Sequence, residues 1–166
     1  MLIVFGGLPG TGKTTLARLV AREFRAVYLR IDTIEQALRS SGALACGVGG
    51  AGYIVGYALA EANLRLGQTV VADSVNPLAL TRDAWRQAAS NAQSRIVEIE
   101  MVCSDLAEHR RRVETRTVDV AGLVLPTWEA VQQREYEEWD RPRLVLDTAG
   151  RSIDDVFAEL RSRLRL

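Results

Sequence analysis

The chain is short of the residues that usually announce a metal centre or an oxidised scaffold. It has one histidine, His109, and two cysteines, Cys46 and Cys103, without C-x-x-C spacing, so neither a structural zinc site nor a disulfide framework is expected. No basic-plus-apolar leader precedes the first apolar run, and the expectation is a reduced, cytoplasmic setting with both thiols buried. Net charge is absent as well: Lys+Arg and Asp+Glu are 21 each, which removes the electrostatic pull toward nucleic acid that a basic chain would exert. Internal repeats and low-complexity tails are also missing, and 166 residues suffice for one domain burying roughly 70% of its unfolded surface. Lysine is nearly absent. Lys13 is the only one, every other cation being arginine.

That lysine stands in Gly7-Leu8-Pro9-Gly10-Thr11-Gly12-Lys13-Thr14, which satisfies G-x-x-x-x-G-K-[ST] at every fixed position. Before it runs Leu2-Ile3-Val4-Phe5, with the β-branched content of a buried parallel strand, and after it Thr15 to Arg22 has helical character. A fortuitous glycine turn would not need that order of strand, loop and helix. The spacing suits a polyphosphate, because glycines let successive backbone N–H groups turn inward and the helix adds its positive end. Lys13 would reach the β- and γ-phosphates and the Thr14 hydroxyl would hold Mg²⁺, with Thr15 packing or capping beside them.

The following segments alternate between strand and helix patterns. Ala26 to Ile31 reads as a strand with Asp32 at its C-terminal edge, where ligands bind in open α/β sheets, although Asp32-x-x-Glu35 is also a capping-box-like start for a short helix over 33–41. Gly42 to Gly52 is loop-like, and Tyr53 to Leu66 is a helix closed by Gly67. Tyr53 and Tyr57, one turn apart, either line a pocket or simply pack. Thr69 to Asp73 is a third strand ending in an acid, which would reach Mg²⁺ through water, or a substrate hydroxyl, or else cap the Ser74–Pro77 turn. Leu80 to Ala92 is helical with Thr81 as cap, and Arg82 and Arg86 are substrate-facing or solvated. Ile96 to Val102 is a strand whose alternating glutamates suggest a partly wet face near an edge.

Ser104-Asp105 starts an arginine-rich helix through Arg116, on which Arg112 and Arg116, spaced i,i+4, would point at nucleotide phosphates or stack on the base. The competing reading is a surface helix paired through Glu108 and Glu114, with His109 at the surface or packed. Thr117 to Leu125 lacks a pattern and is the candidate lid, part of a segment covering approximately 110–127. Thr127 caps a helix over Trp128 to Trp139; Arg143 to Asp147 is the fifth strand, Thr148-Ala149-Gly150 a loop, and Ser152 the cap of a final helix carrying Ile153, Val156, Phe157, Leu160 and Leu164. Ser40 to Ala60 is uncharged and contains Gly52-x-x-x-Gly56, a spacing found in packed transmembrane helices. A span there would put two parts of one sheet on opposite sides of a bilayer, so none is expected.

These residues resemble the P-loop kinases that phosphorylate small hydroxylated substrates, the group containing chloramphenicol phosphotransferase, zeta toxins, gluconate kinase and the kinase domain of polynucleotide kinase. The resemblance covers nearly the whole chain and rests on Gly7-x-x-x-x-Gly12-Lys13-Thr14, Asp32, Asp73, the arginine-rich helix and the loop after the last strand. It implies a single α/β domain over 1–166, a three-layer sandwich around a five-stranded parallel sheet of order 2-3-1-4-5 with a small helical lid. It further implies ATP and Mg²⁺ as cofactors and Asp32 as general base on an acceptor hydroxyl. Residues 7–15 with Arg112 and Arg116 would hold the phosphates, and Thr148-Ala149-Gly150 would flank adenine. Polynucleotide kinases carry an arginine shortly after the catalytic acid, whereas here Glu35 and Gln36 precede Arg39, so a nucleic-acid end is less well supported as acceptor than a small molecule. A polynucleotide or nucleoside kinase and an ATP-binding switch without acceptor are the alternatives. Guanine-reading N-K-x-D does not occur.

Overall fold

Leu2-Ile3-Val4-Phe5 has no exposed residue, and the strand it forms is the axis of the molecule. In the computed structural model, which describes residues 1–44 and 47–164, the elements run β1 (Leu2–Gly6), α1 (Lys13–Glu23), β2 (Val27–Arg30), α2 (Ile31–Ser40), α3 (Ala51–Arg65), β3 (Val70–Asp73), α4 (Ala79–Asn91), β4 (Ile96–Val102), α5 (Leu106–Glu114), α6 (Trp128–Gln132), β5 (Leu144–Asp147) and α7 (Ile153–Leu164). All four strand pairings are parallel and the order is β2-β3-β1-β4-β5. This is the order the resemblance implied.

Side chains alternate across a strand, so β1 feeds two cores at once. Ile3 and Phe5 pack with Leu16 and Val20 of α1 and Val156 and Leu160 of α7. Leu2 and Val4 pack with Ala60 and Leu64 of α3 and Trp85 of α4. Each buried aliphatic or aromatic side chain of this kind contributes about 1.5–3 kcal/mol, which explains why an all-parallel sheet needs helices on both faces.

Tertiary contacts changed several expectations. Glu98 and Glu100 of β4 face inward rather than toward water; Arg86 of α4 bonds Glu98, and Arg143 bonds Glu100 at 2.6 Å. Burial of a carboxylate requires such pairing. Arg82 is neither substrate-facing nor solvated. Its side chain is fully buried and donates to the carbonyls of Asn76, Glu137 and Glu138 at 3.3, 3.1 and 3.0 Å, while its guanidinium lies 4.7 Å from the Trp139 ring centre. Those contacts also accompany the end of α6 at Gln132 instead of Trp139: the following backbone presents carbonyls to Arg82 and Tyr136 to Glu100.

Smaller corrections are local. β2 ends at Arg30, so Asp32 lies in the first turn of α2 and not on a strand end. Thr81 is inside the first turn of α4, where its hydroxyl donates to Leu78 O, and Leu78 occupies the cap position. Ser152 and Thr127 accept from Asp155 N and Ala130 N as helix caps should. Gly52 and Gly56 serve close packing of α3, since a Cβ at Gly52 would lie 2.3 Å from Glu35 Cγ and one at Gly56 2.6 Å from Ile31 Cδ1. No helix among the described residues is long and apolar enough to cross a membrane. Cys103 is a buried free thiol; Cys46 lies outside the described residues.

Replacing Arg82 with methionine keeps the apolar stem but leaves the Glu137 and Glu138 carbonyls unpaired, at about 1–3 kcal/mol for each buried unsatisfied group. The expected result in urea denaturation is a loss of about 3–5 kcal/mol with unchanged m. A loss below about 1 kcal/mol would take the anchoring role from this residue.

Candidate active site

The glycine loop leaves β1 through a contact that only glycine permits. Gly7 has φ of +128°, and a Cβ there would lie 2.2 Å from the Met101 carbonyl oxygen. Its amide donates to Val75 O at 2.9 Å. Beyond it, the Thr11 hydroxyl and Lys13 Nζ both donate to Leu8 O at 2.8 Å, so the loop closes around its own carbonyl. Gly10, also at positive φ, meets Val113 and His109 of α5. His109 Nε2 donates to Pro9 O at 2.7 Å and its ring meets Trp128 edge-on at 5.2 Å. The single histidine is therefore packed, as one of the two expectations held, and it braces the loop.

Two cavities of about 420 Å³ each meet at Lys13 and Thr14. The first follows Gly10, Gly12, Thr14 and Thr15 and is walled by Arg18, Arg112 and Arg116. A smaller hollow of about 250 Å³ continues it past Thr148 to Arg151, Ile153 and Val156. Arg112 donates to Thr148 Oγ1 at 2.7 Å, to Thr148 O at 2.9 Å and to Glu108 Oε1 at 2.7 Å, so it is both an ion-paired helix residue and a wall of the groove. Arg116 does not share its helical face, because α5 ends at Glu114. Even so, Arg116 lines both cavities. Ala149 and Gly150 do not line the hollow; their amides are bonded to Asp147 Oδ1 and Glu108 Oε2.

The second cavity lies between α2, the end of β3 and residues 122–126, with Asp32, Glu35, Tyr53, Asp73 and Ser74 in its walls. Parallel register places Arg30 beside Asp73 and Asp73 beside Phe5, which brings both acids' surroundings to the loop. The Arg30 guanidinium, 2% exposed, bonds Asp119 at 2.7 Å and Asp32 at 3.2 Å and lies 4.0 Å from Asp73. Tyr28 OH donates to Asp73 Oδ2 at 2.7 Å. Asp119 also pairs with Arg18 of α1, and the Arg30 bond holds its carboxyl below the usual range. Tyr53 lines this cavity, whereas Tyr57 packs on Trp85 and donates to Thr81 O. Burial raises the Glu35 carboxyl, against the opposing pull of Arg39.

For Mg²⁺ the donor chemistry is compatible. The ion retains waters and takes one or two protein oxygens beside phosphates, and the Thr14 hydroxyl and Asp73 Oδ1 make no side-chain hydrogen bond among the described residues. An all-protein metal cluster does not occur among them.

Sequence reasoning missed Arg30, Tyr28, Arg18, Asp119, Arg134 and Arg151. None sits at a motif position, and only Arg30, next but one to Asp32, carried a positional signal.

A strand, a phosphate-type glycine loop and a helix at the carboxyl edge of a 2-3-1-4-5 parallel sheet define a P-loop kinase-like fold. The model of the AAA domain family matches residues 2–137, and the chain belongs to that family. No curated protein matches the sequence. Among solved structures, a candidate kinase from Chloroflexus aurantiacus is similar at TM-score 0.74 and 20% identity, over 99% of this chain and 95% of that one. The APS kinase of Mycobacterium tuberculosis in complex with AMPPNP and APS is similar at 0.68 and 22%, over 99% and 97%. Kti12 of Chaetomium thermophilum in complex with ADP-AlF3 is similar at 0.62 and 22%, over 98% of each chain.

Lys13 is buried, and desolvation lowers its ammonium from the ordinary 10.5 to about 8, with Asp73 and Asp32 opposing and Arg116 and Arg134 adding to the fall. The unfolded chain keeps this proton up to its ordinary range while the folded chain releases it from about pH 8. Between those values the unfolded state binds more protons, so stability rises with pH. In urea titrations from pH 8 to 10 the native protein should gain about 2–3 kcal/mol relative to Lys13→Met. Parallel profiles for the two proteins would contradict a depressed Lys13. Both proteins share an opposing fall that sets in below pH 10, because burial keeps the Cys103 thiol and Tyr53, Tyr57 and Tyr136 protonated in the folded state while the unfolded groups ionise.

Proposed function

We propose that the protein is an ATP-dependent, Mg²⁺-requiring phosphotransferase that moves the ATP γ-phosphoryl group to a hydroxyl of a small molecule, with Asp32 as general base. The observation that carries this reading is the meeting of two cavities at Lys13 and Thr14, one following Gly10 and Gly12 and the other lined by Asp32 and by neither of those glycines. A switch that only binds nucleotide has no use for the second. The AMPPNP and ADP-AlF3 bound to two similar structures support a nucleotide donor, as does the resemblance to chloramphenicol phosphotransferase and gluconate kinase.

In this reading the loop amides, Lys13 and Arg112 grip the polyphosphate, and the hollow beside Thr148, Ile153 and Val156 takes the base. Thr14 and, through water, Asp73 would hold Mg²⁺, which would neutralise charge on the phosphates. Arg30 occupies Oδ2 of Asp32, orienting the carboxylate so that Oδ1 takes the acceptor proton. The acceptor oxygen forms its bond to the γ-phosphorus as the bond to the β–γ bridging oxygen breaks, releasing ADP. Arg116, reaching both cavities, stabilises the group in transit. Residues 110–127 act as the lid, latched through Asp119 to Arg18 and Arg30, and exclude water.

ADP release measured across alcohols, sugars, antibiotics and nucleosides should show acceptor-dependent turnover. With a responsive acceptor, Asp32→Asn should lower kcat by about 10²- to 10⁴-fold and leave AMPPNP affinity nearly unchanged. Full turnover in that variant would remove Asp32 from the base role.

A further inference from the structure

Resting on the phosphotransferase reading, we propose that the acceptor carries an oxyanion, a carboxylate or a phosphate, and that Arg134 binds it. Arg134 lines the acceptor cavity together with Asp32, Glu35 and Ser74, and it does not line the phosphate groove. The other cations there have employment. Lys13 belongs to the loop, Arg116 reaches both cavities, and Arg39 pairs with Glu35 at 3.1 Å. Arg134 makes no ion pair and no side-chain hydrogen bond among the described residues; only its backbone amide is engaged, by Val131 O.

The backbone that carries Arg134 is held on both sides. Val131 and Trp128 are buried against Val113, and Glu137 and Glu138 give their carbonyls to Arg82. The anchored backbone fixes where this side chain starts, and its planar donor fork matches an oxyanion in two bonds. Its field reaches the reaction centre, since it acts on both Lys13 and Glu35. Asp32, in the same cavity wall, stands ready for a hydroxyl. Such a wall suits a small hydroxylated anion, hydroxyl toward Asp32 and charge toward Arg134. Arg134 is exposed, so a neutral acceptor would leave it merely hydrated, whereas an oxyanion would use its donors.

The test fills the donor site first. Full-length protein saturated with AMPPNP and Mg²⁺ is titrated calorimetrically with orthophosphate and, separately, with acetate, and Arg134→Gln and Arg134→Lys are compared. Expected are one anion bound per chain, a weakening of about tenfold or more in Arg134→Gln, partial recovery in Arg134→Lys, and unchanged AMPPNP affinity. The tighter of the two anions distinguishes phosphate from carboxylate. Absence of binding to the loaded protein, equal binding by Arg134→Gln, or an equal loss of AMPPNP affinity in that variant would overturn the proposal, the last by assigning Arg134 to the donor phosphates. Failure of the native protein to bind AMPPNP at all would instead overturn the phosphotransferase reading, and this one with it.

Discussion

A single guanidinium ties the parts of this molecule together. Arg30 ends β2 with a side chain 2% exposed, and around it stand Asp32 from α2, Asp73 from β3 and Asp119 from the irregular segment after α5. Burying one unpaired cation would cost several kcal/mol, so the carboxylates are needed for the strand to end there at all. In return each acid is fixed in direction: Asp32 toward one cavity, Asp73 toward the glycine loop, and Asp119 as the point at which residues 115–127 meet the sheet edge. Tyr28 and Arg18 complete the network.

A second brace acts on the loop itself. The Gly7 amide, the Thr11 hydroxyl and Lys13 Nζ are all satisfied by carbonyls, and His109 holds Pro9 from α5. Lys13 thus waits internally bonded but buried, and that burial lowers its proton affinity before any polyanion arrives. A polyphosphate would relieve that penalty by supplying charge where Leu8 O now supplies only a dipole. α5 braces the other side through Arg112 and Thr148, so that the hollow beside α7 shares one wall with the phosphate groove.

Much of this was legible beforehand because it is local. The loop motif, five strands, most helix caps and the placement of Thr148–Gly150 after the last strand follow from short-range spacing. Asp32 was picked as a candidate through its position at a strand end; it lines the second cavity, although it lies two residues beyond the strand, in the first turn of α2. What could not be read depends on partners distant in sequence. Glu98 and Glu100 looked solvated because Arg86 and Arg143 lie 12 and 43 residues away, and only the fold reveals those pairs. Arg82 looked like a surface cation because its acceptors are backbone carbonyls 55 and 56 residues on, and carbonyls leave no trace in side-chain pattern. The same contacts accompany the early end of α6, against a helical pattern running to Trp139.

By itself, then, the amino-acid sequence determined the glycine loop: it lies between a buried strand and a helix, with the only lysine at its G-K-T position, because the geometry of such a loop is set by consecutive residues. The second cavity was decided only in three dimensions. Its walls come from α2, β3, the 122–126 loop and the segment after α6, brought together by the parallel register of Arg30 with Asp73 and by the anchoring of Arg82. Charge pairing across such distances is a property of the folded chain, since it is the burial of one partner that creates the demand for the other.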